Sequence, residues 1–166
     1  MSELVVNPVS LELNAATIMM CRKVWPAGYD KALHGAPESF KALKEEYAAR
    51  GRITVYSGAS SKTIFDDPDV NVDFRAWHDY CHLMGNTGFS VEGERKAAEM
   101  QCEHVKRFYG DGRTGQWLCT LIMAEVVGQA EHYAKYKAYV EDQRAFTMAY
   151  ISHPGSTLSH NWGARA

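Results

Sequence analysis

His78 and His82 stand four residues apart in the segment Trp77-His78-Asp79-Tyr80-Cys81-His82. On a helix that spacing puts both imidazoles on one face, one turn apart. Two such imidazoles can hold one divalent ion, so His78 and His82 are candidate metal ligands. Rotating residues 91–109 at about 100° per residue places Glu94 and Gln101 in the middle of an apolar face, with Ala97, Ala98, Val105, Phe108 and Tyr109 around them. The same rotation over 114–140 places Glu125, Gln129 and His132 inside a stripe of Leu118, Leu121, Ile122, Tyr136, Tyr139 and Val140. An inward carboxylate needs a cation, a strong hydrogen bond or a proton. Taken singly, these groups read as core residues bonded to backbone, or as acids paired with Arg22, Arg75 or Arg144. Taken with the two histidines, they fit a metal centre inside a helical bundle.

Helices must carry these groups. Residues 11–25 have helical spacing of Leu13, Ile18 and Cys21, and Pro26 and Gly28 end them. Pro37 and Glu38 open a second helix, which Gly51 closes. Residues 52–65 change character: ITVYS and TIF flank GASSK, a pattern that predicts a short β-hairpin. Residues 66–69 read as a turn, and Asp73 as the cap of a helix ending near Met84, before Gly85-Asn86-Thr87-Gly88. Ser90 caps the next helix, a long one spans 114–140, and a last one starts near Glu141. Residues 153–166 read as a loosely packed tail. The expected fold is mainly α, a helical bundle-like single domain over 1–166 with one short β-hairpin, an α+β arrangement remaining open.

Composition narrows the function classes. A chain of 166 residues with a formal charge of −2 has no basic stripe for nucleic acid or an anionic membrane. No apolar run is long enough for a membrane span. Met1–Pro8 contains Glu3 and no basic stretch, unlike a signal peptide. Cys21, Cys81, Cys102 and Cys119 are widely spaced, which predicts reduced thiols and a cytoplasmic location. Cys81 beside His82 reads as a buried inert thiol. A homodimer is left open.

The His78-Asp79-Tyr80-Cys81-His82 segment resembles the H-E-x-x-H helix of zincin metallopeptidases, with Asp79 in the place of the glutamate. The resemblance covers about five residues strictly and roughly sixty loosely. It implies zinc on His78 and His82, with Asp79 as the base for an attacking water. An aspartate is one methylene shorter, so its carboxylate stands back from that water. Gluzincins take a third ligand from a later helix, and Glu125-Val126-Val127-Gly128-Gln129 resembles that helix, with Gln129 supporting a ligand imidazole. VEGERKAAEM, carrying Glu94, resembles the helix that follows H-E-x-x-H in small intracellular zincins that cleave phage repressors. Glu94 and Glu125 both stay open as third ligand, Glu125 marginally ahead. His132 and Gln101 are expected as hydrogen-bond supports.

The expected function is a metal-dependent hydrolase, zinc-activated water attacking a carbonyl. Three rivals compete. A dinuclear iron or manganese carboxylate site would use His78, His82, Glu94, Glu125 and His132, although the paired E-x-x-H motifs of such bundles are absent. An HD-type phosphohydrolase would draw on His34, His78, Asp79 and Asp142. A small interaction or inhibitory protein would hold the polar groups as a structural network, with its Tyr series as core or partner face.

Overall fold

The computed structural model describes residues 5–163. Residues 1–4 and 164–166 lie outside the described residues, and with them part of the Met1–Pro8 reading and the last three positions of the expected tail. The protein is mainly helical. In order it comprises α1 (Leu11–Val24), β1 (Asp30–Ala32), α2 (Phe40–Arg50), β2 (Thr54–Tyr56), α3 (Pro68–Gly85), α4 (Val91–Tyr109), α5 (Arg113–Met123), a π-turn (Ala124–Gly128), α6 (Gln129–Tyr136), α7 (Gln143–Ser152) and α8 (Pro154–Thr157). No helix among the described residues is long and apolar enough to cross a membrane.

α3 is the central helix. One face packs on α1 and α4 through Phe74, Trp77 and Cys81, against Leu13, Met20, Ala97, Ala98 and Val105. Another, through Val72 and Ala76, covers Ile53, Val55, Leu43 and Trp25. α5 closes the larger core with Leu118, Leu121 and Ile122. Burying so many large side chains from separate helices is what fixes their relative positions, because each exposed one would cost roughly 1.5–3 kcal/mol.

The expected hairpin over 52–65 does not form. β2 pairs instead in parallel with β1, Lys31 opposite Val55, and α2 makes the crossover between them. Arg75 explains why the chain cannot fold back: its guanidinium grips the carbonyl oxygens of Tyr56, Gly58 and Ala59 at 2.8, 2.6 and 3.1 Å. The chain is led away, and Ile64 and Phe65 go into the core beneath α1. α3 starts earlier than the spacing predicts. Asp67 is its cap, accepting from the Asp69 N–H at 2.9 Å, with Pro68 in the first turn. Asp73 is no cap; it accepts from the Tyr29 hydroxyl at 2.6 Å.

The long 114–140 segment is also not one helix. The π-turn interrupts it, and it stops at Tyr136, where Lys137 adopts a left-handed conformation. Gly128 in that turn lies against the rings of Phe146 and Tyr150, where a Cβ would be tight. Nor is the C-terminal stretch loose as far as Gly163. Gly163 bridges to Val140, and the Trp162 ring packs edge-on against Phe146 at 5.6 Å.

Candidate metal centre

α3 and α4 meet at one polar cluster within their apolar interface. His78 and His82 project from α3 as the spacing requires, ring centroids 4.6 Å apart. Glu94 enters from the first turn of α4. Its Oε2 lies 2.7 Å from His78 Nε2 and 3.1 Å from His82 Nε2, and the two nitrogens are 3.0 Å apart. Among the described residues these three form a group able to hold a metal ion. Side-chain exposure is 1% for His82, 13% for His78 and 20% for Glu94, so the cluster reaches solvent on the His78–Glu94 side only.

Local sequence sets each position. α3 ends with Asn86 in the left-handed conformation, φ 49°, which turns the chain back toward His82. The Thr87 carbonyl oxygen then lies 2.8 Å from His82 Nδ1, with the Thr87 hydroxyl 3.1 Å from the same nitrogen. A carbonyl oxygen only accepts, so Nδ1 carries a proton; with the ring neutral, Nε2 presents a lone pair to the cluster, and with the ring charged it donates to Glu94. Phe40 and Phe89 pack against the His82 ring and fix its plane. α4 starts where Ser90 accepts from the Gly93 N–H at 3.1 Å. A Cβ at Gly93 would run into the Gly88 carbonyl oxygen, so glycine is what lets the 86–90 turn close onto α4 and set Glu94 beside the histidines.

The electrostatics follow from the contacts. Burial pushes the Glu94 carboxyl up, but hydrogen bonds from His78 and His82 outweigh it and hold the group at about 2. Burial disfavours a charged His78, yet Glu94 reverses the balance and raises it. Burial pushes the Asp79 carboxyl up to about 6 against the pull of His78 and His82. Asp79 thus lies in the field of the cluster without belonging to the ligand triangle.

The structure brings one of the two candidate third ligands to the histidines. Glu94 joins the histidines; Glu125 does not, which corrects the preference for Glu125. Glu125 is buried in the π-turn and accepts from the Thr147 hydroxyl of α7 at 2.8 Å. Burial raises its carboxyl against Thr147, Gln129 and Arg75. Gln129 faces Glu125 and not a ligand imidazole. Its amide nitrogen comes near without reaching hydrogen-bonding geometry. His132 is also elsewhere: Nδ1 lies 3.0 Å from the Ala138 carbonyl oxygen, and Nε2 accepts from the Trp162 N–H at 2.8 Å. The rotation put Gln129 and His132 inside the apolar stripe, and both turn inward; that face meets Glu125, Ala138 and Trp162 and not the histidines of α3.

Gln101 sits where the rotation put it, Oε1 2.7 Å from His78 Nδ1. The dinuclear set is not assembled, because Glu125 and His132 are absent from the cluster. Neither is the HD set: His34 is exposed beyond β1, and the Asp142 carboxylate caps α7 by accepting from the Ala145 N–H at 2.9 Å. Cys81 is fully buried, and burial pushes its thiol up to about 12. Thr87, which orients His82, and Thr147, which holds Glu125, were not singled out by sequence. For Thr87 the only trace was the Gly85–Gly88 break, legible as a helix end and not as a ligand support.

Comparison of the chain with protein-family models, with curated proteins and with solved structures finds no match.

Proposed function

We propose that this protein is a mononuclear zinc hydrolase, with His78, His82 and Glu94 as ligands and Asp79 as the base. One observation carries the reading: His82 Nε2, His78 Nε2 and Glu94 Oε2 converge within 3.1 Å of one another. With His82 neutral, its Nε2 and the Glu94 carboxylate are both acceptors, and two facing acceptors need a shared cation or proton. Zinc takes N and O ligands at about 2.0–2.2 Å, so tetrahedral ligand atoms stand roughly 3.3 Å apart. The observed triangle of 2.7, 3.0 and 3.1 Å needs only a small opening to accept it.

Three protein ligands leave a fourth position for water, and the solvent-reaching side at His78 and Glu94 gives that water a path. Zinc held there would lower the proton affinity of water and stabilise a developing oxyanion. Asp79, one residue from His78 and within the field of all three ligands, would take a proton from the water that adds to the carbonyl carbon of an ester or amide, and would return it to the leaving alcohol or amine as the carboxylate forms. The two-histidine, one-glutamate donor set is the one the zincin resemblance implies, with Glu94 supplying the carboxylate.

The test is a screen of the zinc-loaded protein against chromogenic carboxyl esters and fluorogenic peptides, beside Asp79→Asn. Hydrolysis in the wild type, and its loss by roughly 10²-fold or more in Asp79→Asn with zinc retained, is expected of a lost general base. Equal activity in both would remove Asp79 from the mechanism. A second reading draws on the 2.7 Å His78–Glu94 separation, itself a normal hydrogen bond. A proton on the histidine pair would then be the cation, and the cluster a structural network of an interaction module that takes up no zinc.

A further inference from the structure

Gln101 is fully buried, and its two amide atoms are treated unequally. Oε1 lies 2.7 Å from His78 Nδ1, whereas Nε2 has no hydrogen-bond partner. A buried N–H left without an acceptor is costly, so an alternative arrangement has to be weighed. Turning the amide over would let Nε2 donate to His78 Nδ1. Nδ1 would then be bare, and the ring proton would sit on Nε2, aimed at Glu94 Oε2 and His82 Nε2 at 2.7 and 3.0 Å. That exchange leaves Oε1 unpaired in place of Nε2. The amide therefore has no strong preference of its own, and its two orientations select opposite tautomers of His78.

Resting on the zinc reading of the cluster, we infer that Gln101 is the positioning residue that makes His78 a metal ligand. Its Oε1 accepts the Nδ1 proton and so commits the Nε2 lone pair to the ion. The opposite orientation would hold the same ring as a donor to Glu94 and leave no lone pair for an ion. Ion loading and amide orientation are thereby coupled through one imidazole.

Two substitutions separate this role from mere packing. Gln101→Met keeps the length but cannot accept. Gln101→Glu accepts and cannot donate, so it presets the ligand tautomer. Zinc affinity is read by competition with a chromogenic chelator, and the His78 tautomer by long-range proton–nitrogen NMR. The loaded wild type is expected to carry the His78 ring proton on Nδ1, with Nε2 bound to zinc. Gln101→Met is expected to weaken zinc binding roughly 10- to 100-fold, with no fall in the melting temperature of the empty protein. Gln101→Glu is expected to bind zinc at least as tightly as wild type.

Equal weakening by both substitutions, or none in Gln101→Met, overturns the inference while leaving the zinc site standing. So does a zinc-loaded wild type with Nδ1 bare. Wild-type protein that takes up no zinc overturns the site and this inference together. Should Gln101→Met fail to fold, the loaded wild-type spectrum decides alone.

Discussion

Glu94 and Glu125 carry the same side chain into the same protein interior and meet opposite surroundings. Two imidazoles hold Glu94 charged at the cluster, while Glu125 has a hydroxyl partner and is pushed toward its neutral form. Glu94→Gln is accordingly expected to weaken zinc binding by at least ~10²-fold, as the loss of a charged ligand should. Glu125→Gln is expected to leave zinc affinity unchanged, measured in the same titration. Its effect is on stability. An acid whose folded form is raised costs nothing below the unfolded value of 4.5 and destabilises progressively as pH rises through it. Glu125→Gln removes that cost, so denaturant unfolding is expected to show it more stable than wild type at about pH 7 and little different at about pH 4. A variant less stable than wild type at neutral pH would mean that Glu125 is a needed charge. Four-residue spacing made the His78–His82 pair legible, and the apolar neighbours of Glu94 and Gln101 made their inward direction legible. Nothing in the sequence ranked Glu94 above Glu125, because that ranking depends on which helix faces α3.

Helix ends decide where the chemistry lands. α4 delivers Glu94 because Ser90 caps it and Gly93 admits the Gly88 carbonyl oxygen. Ser90→Ala is expected to cost about 1 kcal/mol of stability by removing the cap. Gly93→Ala is expected to do more, displacing the 86–90 turn and with it Glu94 and the Thr87 support of His82. Zinc affinity and melting temperature should then fall together. A Gly93→Ala protein with wild-type zinc affinity would show that the turn does not set the site. The spacing points to Asp73 for the cap that Asp67 provides, whereas the boundary capped by Ser90 was readable in advance. The π-turn was not, since a single inserted residue leaves no change in composition and only rotates the later positions. The parallel β1–β2 pair was missed for a related reason. Its strands are three residues each and separated by α2, so adjacency in sequence favoured a hairpin that Arg75 prevents.

At the scale of the whole molecule, the cluster lies at the junction of α3 with α4, and α3 also packs on α1, α2 and β2. An ion there ties those helices together and binds only the folded chain. At free zinc roughly a hundredfold above its dissociation constant, that linkage adds about 2.7 kcal/mol of stability. The melting temperature is therefore expected to rise with zinc and fall with chelator, and His82→Ala should abolish the difference. The mainly helical architecture followed from the apolar periodicity alone. The docking of residues 153–163 did not, because it depends on His132 and Phe146 meeting Trp162 across the fold.

The most direct measurement is elemental analysis of the untagged protein, wild type beside His82→Ala and Glu94→Gln, after equilibration with zinc and removal of excess ion. The account predicts about one zinc per chain in the wild type and far less in both variants. No bound zinc in the wild type, or equal zinc in all three proteins, would contradict it, and the cluster of His78, His82 and Glu94 would then be a proton-bridged network within the core.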